Sequence, residues 1–416
     1  MTSFADDPCR GGLLPLETAL ARILGAIDPL DAGEWLDLRL AAGRVLAHDV
    51  HAPADLPAFT NAAMDGYAVV TAGLAPETPL TLVGRALAGK PFAGTLCPGQ
   101  CVRIFTGAAV PRGADAVVMQ EAVRREGNRI YLQHLPQPGE NIRPAGGDVR
   151  QGERVLRRGD RLAAAQLGLL AALGLPTVHV FQRPRVAYFS SGDELAPLGT
   201  PLAPGRIYDS NRYSLYGLLH PLPVTPVDLG RQPDDRERLA ACLAQAGEQF
   251  DVVVSTGGAS VGEADLLRQA LTRMGDLHLW RIAVKPGKPL IFGRIRRAWY
   301  FGLPGNPVSV HVTFSQIVRP ALWRLAGGRP FRPLRLQVPC RNRLRKAAGR
   351  LEFQRGRLIL GGDGNWQVEG LTGQGSHQLT TLAQANCYIV LPAESTGADP
   401  GDVVEVEPFE TSIFHD

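Results

Sequence analysis

The sequence has no long apolar run and few cysteines. Of its 416 residues, 45% are hydrophobic and 6% aromatic, and no stretch approaches the roughly 20 apolar residues of a membrane span. The six cysteines are dispersed, and the nearest two, Cys97 and Cys101, lack the spacing of a zinc or redox motif. We therefore predict free thiols and no membrane role. Because the first residues lack a signal-peptide pattern, we predict a cytoplasmic protein.

Several motifs of common enzyme classes are also missing. There is no G-x-x-x-x-G-K-[ST] phosphate loop and no H-E-x-x-H zinc motif, and the nine histidines are scattered. The 44 basic and 40 acidic residues nearly balance, which argues against a nucleic-acid partner. The densest basic run, from Arg341 to Lys346, fits either a polyanion surface or, more commonly, a solvated face.

Glycine and proline are abundant instead. The 47 glycines and 33 prolines run through the whole chain, which predicts many short elements joined by turns. The apolar spacing of Leu16–Ile27 predicts an amphipathic helix. Short β-like runs fill residues 55–148, and an apolar helix returns at Leu162–Leu173. We therefore predict a mostly-β domain at 55–148, inserted in a support domain of residues 12–54 and 149–183.

The pattern of predicted elements changes twice in the second half of the sequence. Strands alternate with helices over 184–328, which predicts an α/β domain with an open, mostly parallel sheet. Residues 329–416 are rich in arginine and strand-like, which predicts a further all-β domain. The fold class is therefore a multidomain α/β protein.

A glycine-rich turn follows the buried strand at 250–254. In this turn Gly257 and Gly258 let backbone N–H groups approach an anion, and Ser260 stands just before a predicted helix at Ala264–Met274. Ligands bind at the carboxyl ends of strands in such sheets. A plain turn that uses glycine only for its geometry is the alternative.

Two further loops lie at predicted strand ends of the same sheet. Lys285 and Lys288 flank Pro-Gly, and the loop from Gly302 to Ser309 contains Pro304 and Pro307. We expect the three loops to face one crevice that holds a small dianion, with Ser309 at the start of a helix. If the prolines only shape turns, the lysines are simply solvated.

Carboxylates stand in similar loop positions. They are Asp65, Asp148, Asp193, Glu194, Asp209, Glu263 and Asp265. Acids beside phosphate-binding loops suggest Mg²⁺, which needs only one or two protein carboxylates. Each acid alone also fits a helix cap or an Asx turn.

Taken together, the motifs resemble one family. They are Ala63-Met-Asp-Gly-Tyr-Ala-Val69, Phe105-Thr-Gly-Ala, Glu140-Asn-Ile-Arg-Pro, Ser190-Ser-Gly-Asp-Glu-Leu195, Thr256-Gly-Gly-Ala-Ser-Val-Gly-Glu-Ala-Asp265, Val284-Lys-Pro-Gly-Lys-Pro and Gly302-Leu-Pro-Gly-Asn-Pro-Val-Ser309. Their order over nearly the whole chain is similar to that of MoeA and the gephyrin E domain.

The resemblance implies a molybdopterin molybdenumtransferase fold and activity. It implies a four-part subunit with a C-terminal β-barrel, a homodimer, and an active site shared between subunits, with Asp65 and Asp148 acting across the boundary. The implied substrates are adenylated molybdopterin and molybdate, with Mg²⁺ as cofactor and AMP as product. The adenylyltransferase and the molybdoenzymes that accept the cofactor are implied as further partners.

The resemblance also assigns roles to individual residues. The implied molybdate and substrate residues are Lys285, Lys288, Ser309, Arg350, Ser376, Gly257, Gly258, Ser260, Pro304 and Pro307. The implied catalytic residues are Asp65, Thr106, Asp148, Glu194, Asp234 and Asp265, of which Glu194 and Asp265 would bind Mg²⁺. Two alternatives stay open: a molybdopterin adenylyltransferase, and a non-catalytic dimeric scaffold that resembles the gephyrin E domain.

Overall fold

A computed structural model describes residues 12–257, 276–330, 332–362 and 364–409. The described residues form two compact units. Unit one takes them from Met1–Glu34, Gly43–Ala47 and Val180–Asp416, and unit two consists of Trp35–Ala42 and His48–His179. Cys9, the predicted helix at 264–274 and three predicted site residues, Gly258, Ser260 and Asp265, lie outside the described residues. The predicted four-domain boundaries stay a prediction.

The described residues contain seven α-helices. They are α1 (Leu16–Ala26), α2 (Ala164–Ala172), α3 (Asn211–Leu219), α4 (Arg236–Gln249), α5 (Pro307–Thr313), α6 (Arg319–Leu325) and α7 (Leu379–Gln384). A 3₁₀ helix covers Gln120–Ala122 and a π-helix covers Phe314–Val318. None of these helices is long and apolar enough to cross a membrane.

The predicted helix at Leu16–Ile27 is confirmed as α1. Its buried residues Leu16, Ala19 and Ile23 follow the predicted spacing, so one face of the helix packs into the largest core of unit one. The helix predicted at Leu162–Leu173 is also present, as the shorter α2.

Unit two contains the predicted mostly-β module. Its six-stranded sheet has the order β7-β4-β6-β5-β9-β8. The strands are β4 (Gly66–Val69), β5 (Leu80–Ala86), β6 (Gln100–Ile104), β7 (Ala116–Met119), β8 (Val123–Glu126) and β9 (Arg129–Leu132). Only β5 and β6 pair in parallel, as expected for short strands joined by tight turns.

Short strands form three two-stranded sheets, β1-β12, β2-β11 and β3-β10. Their bounds are β1 (Gly33–Asp37), β2 (Val50–His51), β3 (Asn61–Ala62), β10 (Ile142–Arg143), β11 (Arg154–Leu156) and β12 (Thr177–Phe181). In β2-β11 and β3-β10 the chain before residue 63 pairs with the chain after 141, so the two ends of the predicted insertion lie side by side.

Unit one contains the predicted open α/β sheet. Its order is β16-β13-β17-β21-β20-β18, and the first four strands are mutually parallel. The strands are β13 (Arg185–Ser191), β16 (Thr225–Gln232), β17 (Val252–Thr256), β18 (Leu277–Arg281), β20 (Pro289–Ile295) and β21 (Ala298–Leu303). Two short strands, β14 (Leu195–Ala196) and β15 (Ile207–Tyr208), form a parallel pair. The carboxyl ends of β13, β17 and β21 place the predicted loops at one edge.

The apolar stretch from 308 to 325 is helical throughout but not uniform. It runs as α5, then the π-helix, then α6. All five residues of the π segment are buried, including the polar Ser315 and Gln316. The spacing of apolar residues therefore does not mark where the wide turn lies.

The C-terminal strands close into a barrel. They are β22 (Leu336–Pro339), β24 (Leu351–Leu360), β25 (Trp366–Gly370), β26 (Cys387–Leu391) and β28 (Val403–Pro408). The short β19 (Val284–Lys285), from earlier in the chain, pairs with β24, and β23 (Leu344–Arg345) and β27 (Gly397–Ala398) form a separate pair. The sheet runs β25-β24-β26-β28-β22, and a bridge from Cys340 to Val368 joins its ends. The prediction that this part is all-β is wrong at α7, a short helix whose Thr381 and Leu382 are buried.

The cysteines agree with the prediction of free thiols. The five that the structure describes, Cys97, Cys101, Cys242, Cys340 and Cys387, are all unpaired. Burial raises the pKa of the Cys340 thiol, so this thiol at the barrel closure stays protonated at neutral pH.

Gly247 tests how tightly α4 packs. A Cβ on Gly247 would lie 2.8 Å from the backbone oxygen of Ile295, whereas a Cβ on Gly217 of α3 would meet nothing within 4 Å. Replacing a helical glycine by alanine normally stabilises by about 0.5–1 kcal/mol. We predict that Gly217→Ala raises the midpoint of urea unfolding and that Gly247→Ala lowers it. Equal shifts for both variants would contradict this packing.

Candidate functional site

A cavity of about 690 Å³ lies at the loop edge of unit one. Four segments line it, each containing residues predicted from sequence. The lining residues are Lys285, Pro286, Gly287, Lys288, Pro289, Pro304, Gly305, Asn306, Ser309, Arg350, Glu352, Phe353, Arg355, Gln374, Gly375 and Ser376. The structure thus brings together Lys285, Lys288, Pro304, Ser309, Arg350 and Ser376, while Pro307 begins α5 beside them.

Lys285 is held by a buried carboxylate. Its Nζ lies 3.1 Å from Oε1 of Glu352, whose side chain is only 4% exposed, against 44% for Lys285. The amide of Gln354 donates a second hydrogen bond to the same oxygen at 3.0 Å. The ammonium group is therefore oriented at the cavity wall while part of it remains open to solvent.

A third lysine adds to the positive charge nearby. Burial lowers the pKa of Lys346, and the charges of Lys285 and Arg350 act in the same direction. The Lys346 ammonium donates to the carbonyl oxygens of Ala393 and Ser395 at 3.0 and 2.9 Å, which fixes its position. The charges of Glu352 and Glu394 act in the opposite direction, so Lys346 stands beside the cavity lining among charges of both signs.

The loop that carries both predicted lysines depends on Gly287. Its φ is +111°, and a Cβ there would lie 2.6 Å from Oγ1 of Thr313 on α5. Only glycine combines this backbone angle with such a close approach. The loop is therefore seated directly on α5.

The start of α5 differs from the prediction. The helix begins at Pro307, two residues before Ser309, which is buried. The N–H of Val308 donates to the carbonyl oxygen of Ser376 at 3.0 Å. An N–H group at the start of this helix therefore holds the loop of Ser376 against α5.

The glycine-rich turn meets the loop after β21. Gly257 has a φ of +108°, and a Cβ there would lie 2.2 Å from the backbone oxygen of Ser191. A Cβ on Gly305 would lie 3.7 Å from the Cα of Gly257, so the two loops are neighbours. Two of the three loops predicted to face one crevice, those of Gly257 and Gly305, are therefore adjacent in the described residues.

A buried polar network, not predicted from sequence, lies under that turn. Ser190 donates to Asp209 at 2.9 Å, and its hydroxyl lies 3.1 Å from that of Thr256, the residue before Gly257. Arg212 also donates to Asp209, from its main chain and its Nε. The Asp209 carboxylate, one of the loop acids for which the sequence suggests Mg²⁺, thus accepts hydrogen bonds from both Ser190 and Arg212.

Glu194 and Asp234 lie on the same side of the sheet. Asp234 accepts a hydrogen bond from the N–H of Asp193 at 3.1 Å, and Asp193 accepts one from the N–H of Asp234 at 3.3 Å. Glu194, next to Asp193, is exposed. Within the described ranges, no group of three or more His, Cys, Asp or Glu is arranged to hold a metal ion.

Unit two contains the other three predicted residues. The N–H and hydroxyl of Thr106 donate to Oδ1 of Asp65 at 2.8 and 2.7 Å. The backbone hydrogen bond is the largest cause that lowers the pKa of Asp65, so this carboxylate stays ionised well below neutral pH. Asp148 is exposed, and its N–H donates to the carbonyl oxygen of Leu56.

Sequence reasoning missed several residues of the cavity. They are Glu352, Arg355, Asn306 and Gln374. A strand carrying Glu352, Gln354 and Arg355 within four residues was the available signal, because buried charges in a strand need dedicated partners. It was hidden because Glu352 and Gln354 alternate with Leu351 and Phe353, as on a half-exposed strand, whereas residues 352–356 are all buried.

Three parts of the chain match known family regions. Residues 14–174 match the MoeA N-terminal region (domain I and II), residues 187–324 match the probable molybdopterin binding domain, and residues 337–409 match the MoeA C-terminal region (domain IV). These regions follow the order that the motifs predicted.

Individual relatives cover nearly the whole chain. A molybdopterin molybdenumtransferase of Haemophilus influenzae is 40% identical over 399 residues, which are 95% of this chain and 99% of that protein. One of Nostoc sp. is 38% identical over 391 residues, 91% of this chain and 89% of that protein. The crystal structure of molybdopterin biosynthesis moeA protein from Pyrococcus horikoshii OT3 is 30% identical, with a TM-score of 0.83 over 96% of this chain and all of that chain. The predicted fold class is confirmed, and the chain belongs to the MoeA family.

Proposed function

We propose that the chain is a molybdopterin molybdenumtransferase, which exchanges the adenylyl group of adenylated molybdopterin for molybdenum and releases AMP. Its relatives at 36 to 40% identity carry this name. The observation that supports the chemistry most directly is the cavity in which Lys285, Lys288 and Arg350 converge. A tetrahedral dianion such as molybdate is the natural ligand for such a set of cations.

The hydrogen-bond donors of the cavity suit an oxyanion. Ammonium and guanidinium groups form short, charge-assisted hydrogen bonds to anionic oxygens, and the hydroxyls of Ser309 and Ser376 can complete the set. Glu352 offsets one positive charge, which would keep the affinity for molybdate low enough for the ion to leave the cavity during exchange. In this proposal the cavity holds molybdate in place until the dithiolene sulfurs of molybdopterin take the metal.

The described carboxylates fit a magnesium ion held largely by phosphate. Mg²⁺ keeps several waters and needs one or two carboxylates, and the exposed Glu194 meets that requirement without a dense acidic cluster. Bound there, Mg²⁺ would neutralise charge on the phosphates as AMP leaves. We propose that Glu194 and Asp234 hold or orient the ion, together with Asp265.

We also propose a cytoplasmic homodimer whose active site includes Asp65, Thr106 and Asp148 of the partner. The ionised Asp65, oriented by Thr106, is suited to accept hydrogen bonds or to face the ion. Light scattering of the purified protein would test the dimer, since a monomeric mass contradicts it.

The two alternative functions are less well supported. An adenylyltransferase does not account for the family matches at 14–174 and 337–409, which flank the molybdopterin binding domain. A scaffold without catalysis does not account for a cavity that gathers Lys285, Lys288 and Arg350, with Lys285 held by the buried Glu352. The enzyme accounts for both features.

We predict that the protein releases AMP from adenylated molybdopterin when molybdate and Mg²⁺ are present. The product should reconstitute a molybdoenzyme that lacks its cofactor. AMP would be measured by chromatography over a range of molybdate concentrations. An adenylyltransferase would instead consume ATP, and a scaffold would release no AMP. Release of AMP at a rate independent of molybdate would refute the proposed exchange.

We predict that Lys285→Ala weakens molybdate binding about 10- to 100-fold, because one charge-assisted hydrogen bond contributes about 1.5–3 kcal/mol. It also leaves the buried Glu352 without its ammonium partner. Equilibrium dialysis with metal analysis would measure the affinity. Arg341→Ala, which removes an exposed cation outside the cavity lining, should bind as the unsubstituted protein does. The same loss in both variants would point to general electrostatics instead.

We predict that Asp65→Asn lowers the rate of AMP release at least 100-fold without unfolding the protein. The amide oxygen can still accept from Thr106, but the negative charge is lost. Turnover and the midpoint of thermal unfolding should both be measured. Glu77→Gln, which removes an exposed charge in the same unit, is the matched control. Full activity in Asp65→Asn would remove this residue from the proposed site.

A further inference from the structure

We propose that Arg355 is a positioning residue of the cavity: its buried guanidinium fixes the loop 373–376 and thereby sets the affinity for the oxyanion. This inference rests on the proposed function and adds to it a residue that does not itself need to touch the anion.

Arg355 is an arginine buried inside a strand. It lies in the middle of β24 with 1% of its surface exposed. Burial lowers its pKa, although the guanidinium remains charged. Within the described residues its Nε is buried without a hydrogen-bond partner. A buried N–H without a hydrogen-bond partner lowers the stability of the fold. We therefore look for the role of Arg355 in the contacts of its other nitrogens.

The guanidinium binds the loop at two points. Nη2 of Arg355 donates to the carbonyl oxygen of Gly373 at 2.8 Å and to that of Gly375 at 3.0 Å. The side chain of Gln374, between them, accepts from the N–H of Arg355 and donates to its carbonyl oxygen, both at 2.9 Å. Four hydrogen bonds therefore join one residue of β24 to three consecutive residues of the loop.

The other end of the loop reaches the rest of the cavity. The carbonyl oxygen of Ser376 accepts from the N–H of Val308 at the start of α5, which also carries Ser309. The loop is thus held between β24 and α5. Freeing it from β24 would let Ser376 move relative to Ser309, and these two hydroxyls stand on different elements.

The same strand positions the lysine. Glu352 lies three residues before Arg355 and binds Lys285. Glu352 and Lys285 stand opposite each other in the parallel pairing of β24 with β19. Strand β24 therefore positions both the ammonium group of Lys285 and the loop 373–376 that carries Ser376. The hydrogen bonds of Arg355 to this loop are separate from its charge, and replacing Arg355 by lysine distinguishes the two effects.

Both hydrogen bonds to the loop come from Nη2 of Arg355, and the side chain of lysine is one bond shorter, so Arg355→Lys keeps the positive charge but does not reach both carbonyl oxygens. We expect the dissociation constant for molybdate, measured by equilibrium dialysis, to rise about tenfold. The KM for molybdate in AMP release should rise in parallel, while kcat at saturating molybdate stays within about twofold. Arg357 is an exposed arginine on the same strand, and Arg357→Lys should leave the dissociation constant and the KM for molybdate unchanged.

Gln374→Ala provides a second variant that leaves the buried arginine in place. It removes two hydrogen bonds between loop and strand, so we expect it to raise the molybdate dissociation constant as well. Circular dichroism and thermal unfolding would show that both variants fold.

Unchanged molybdate affinity in folded Arg355→Lys or Gln374→Ala would overturn the proposal. A fall in kcat with unchanged KM would also overturn it, since that result indicates a role other than positioning for the oxyanion. If the unsubstituted protein binds molybdate but releases no AMP, the proposed function fails while the dialysis still decides the role of Arg355. If it binds no molybdate at all, both proposals are wrong.

Discussion

The ion pair between Lys285 and Glu352 is the interaction on which the cavity depends. It joins the short strand β19, which carries Lys285 and leads into β20 of the α/β sheet, to β24 of the barrel within unit one. A carboxylate that is 4% exposed needs partners, and Glu352 has two, the ammonium of Lys285 and the amide of Gln354. Because the acid is rigidly held, it fixes the position of the lysine.

Much of the fold could be predicted from the sequence because the relevant signals are local. The spacing of Leu16, Ala19 and Ile23 encodes the buried face of α1. The glycine at 257 was also predictable, since a strand running into Gly-Gly at the edge of a parallel sheet calls for a left-handed backbone. These features need only a few neighbouring residues.

The rest depends on contacts between distant parts of the chain. Nothing local to Arg355 shows that it meets Gly373 and Gly375 about twenty positions later, or that Val308 pairs with Ser376. The same is true of the barrel closure, where Cys340 pairs with Val368. The motifs identified the candidate site residues that carry charge, and the framework holding them became visible only in three dimensions.

The π-helix at Phe314–Val318 gives the helical segment from 307 to 325 one wide turn, in which an N–H bonds to the carbonyl five residues back. Each residue of an α-helix turns the chain by about 100°, and the wide turn accommodates one residue more than an α-helical turn would. Leu322 and Leu325, which follow it, are buried in the core of unit one. The wide turn therefore sets the angular phase between the part of the helix that carries Ser309 and the part that anchors it.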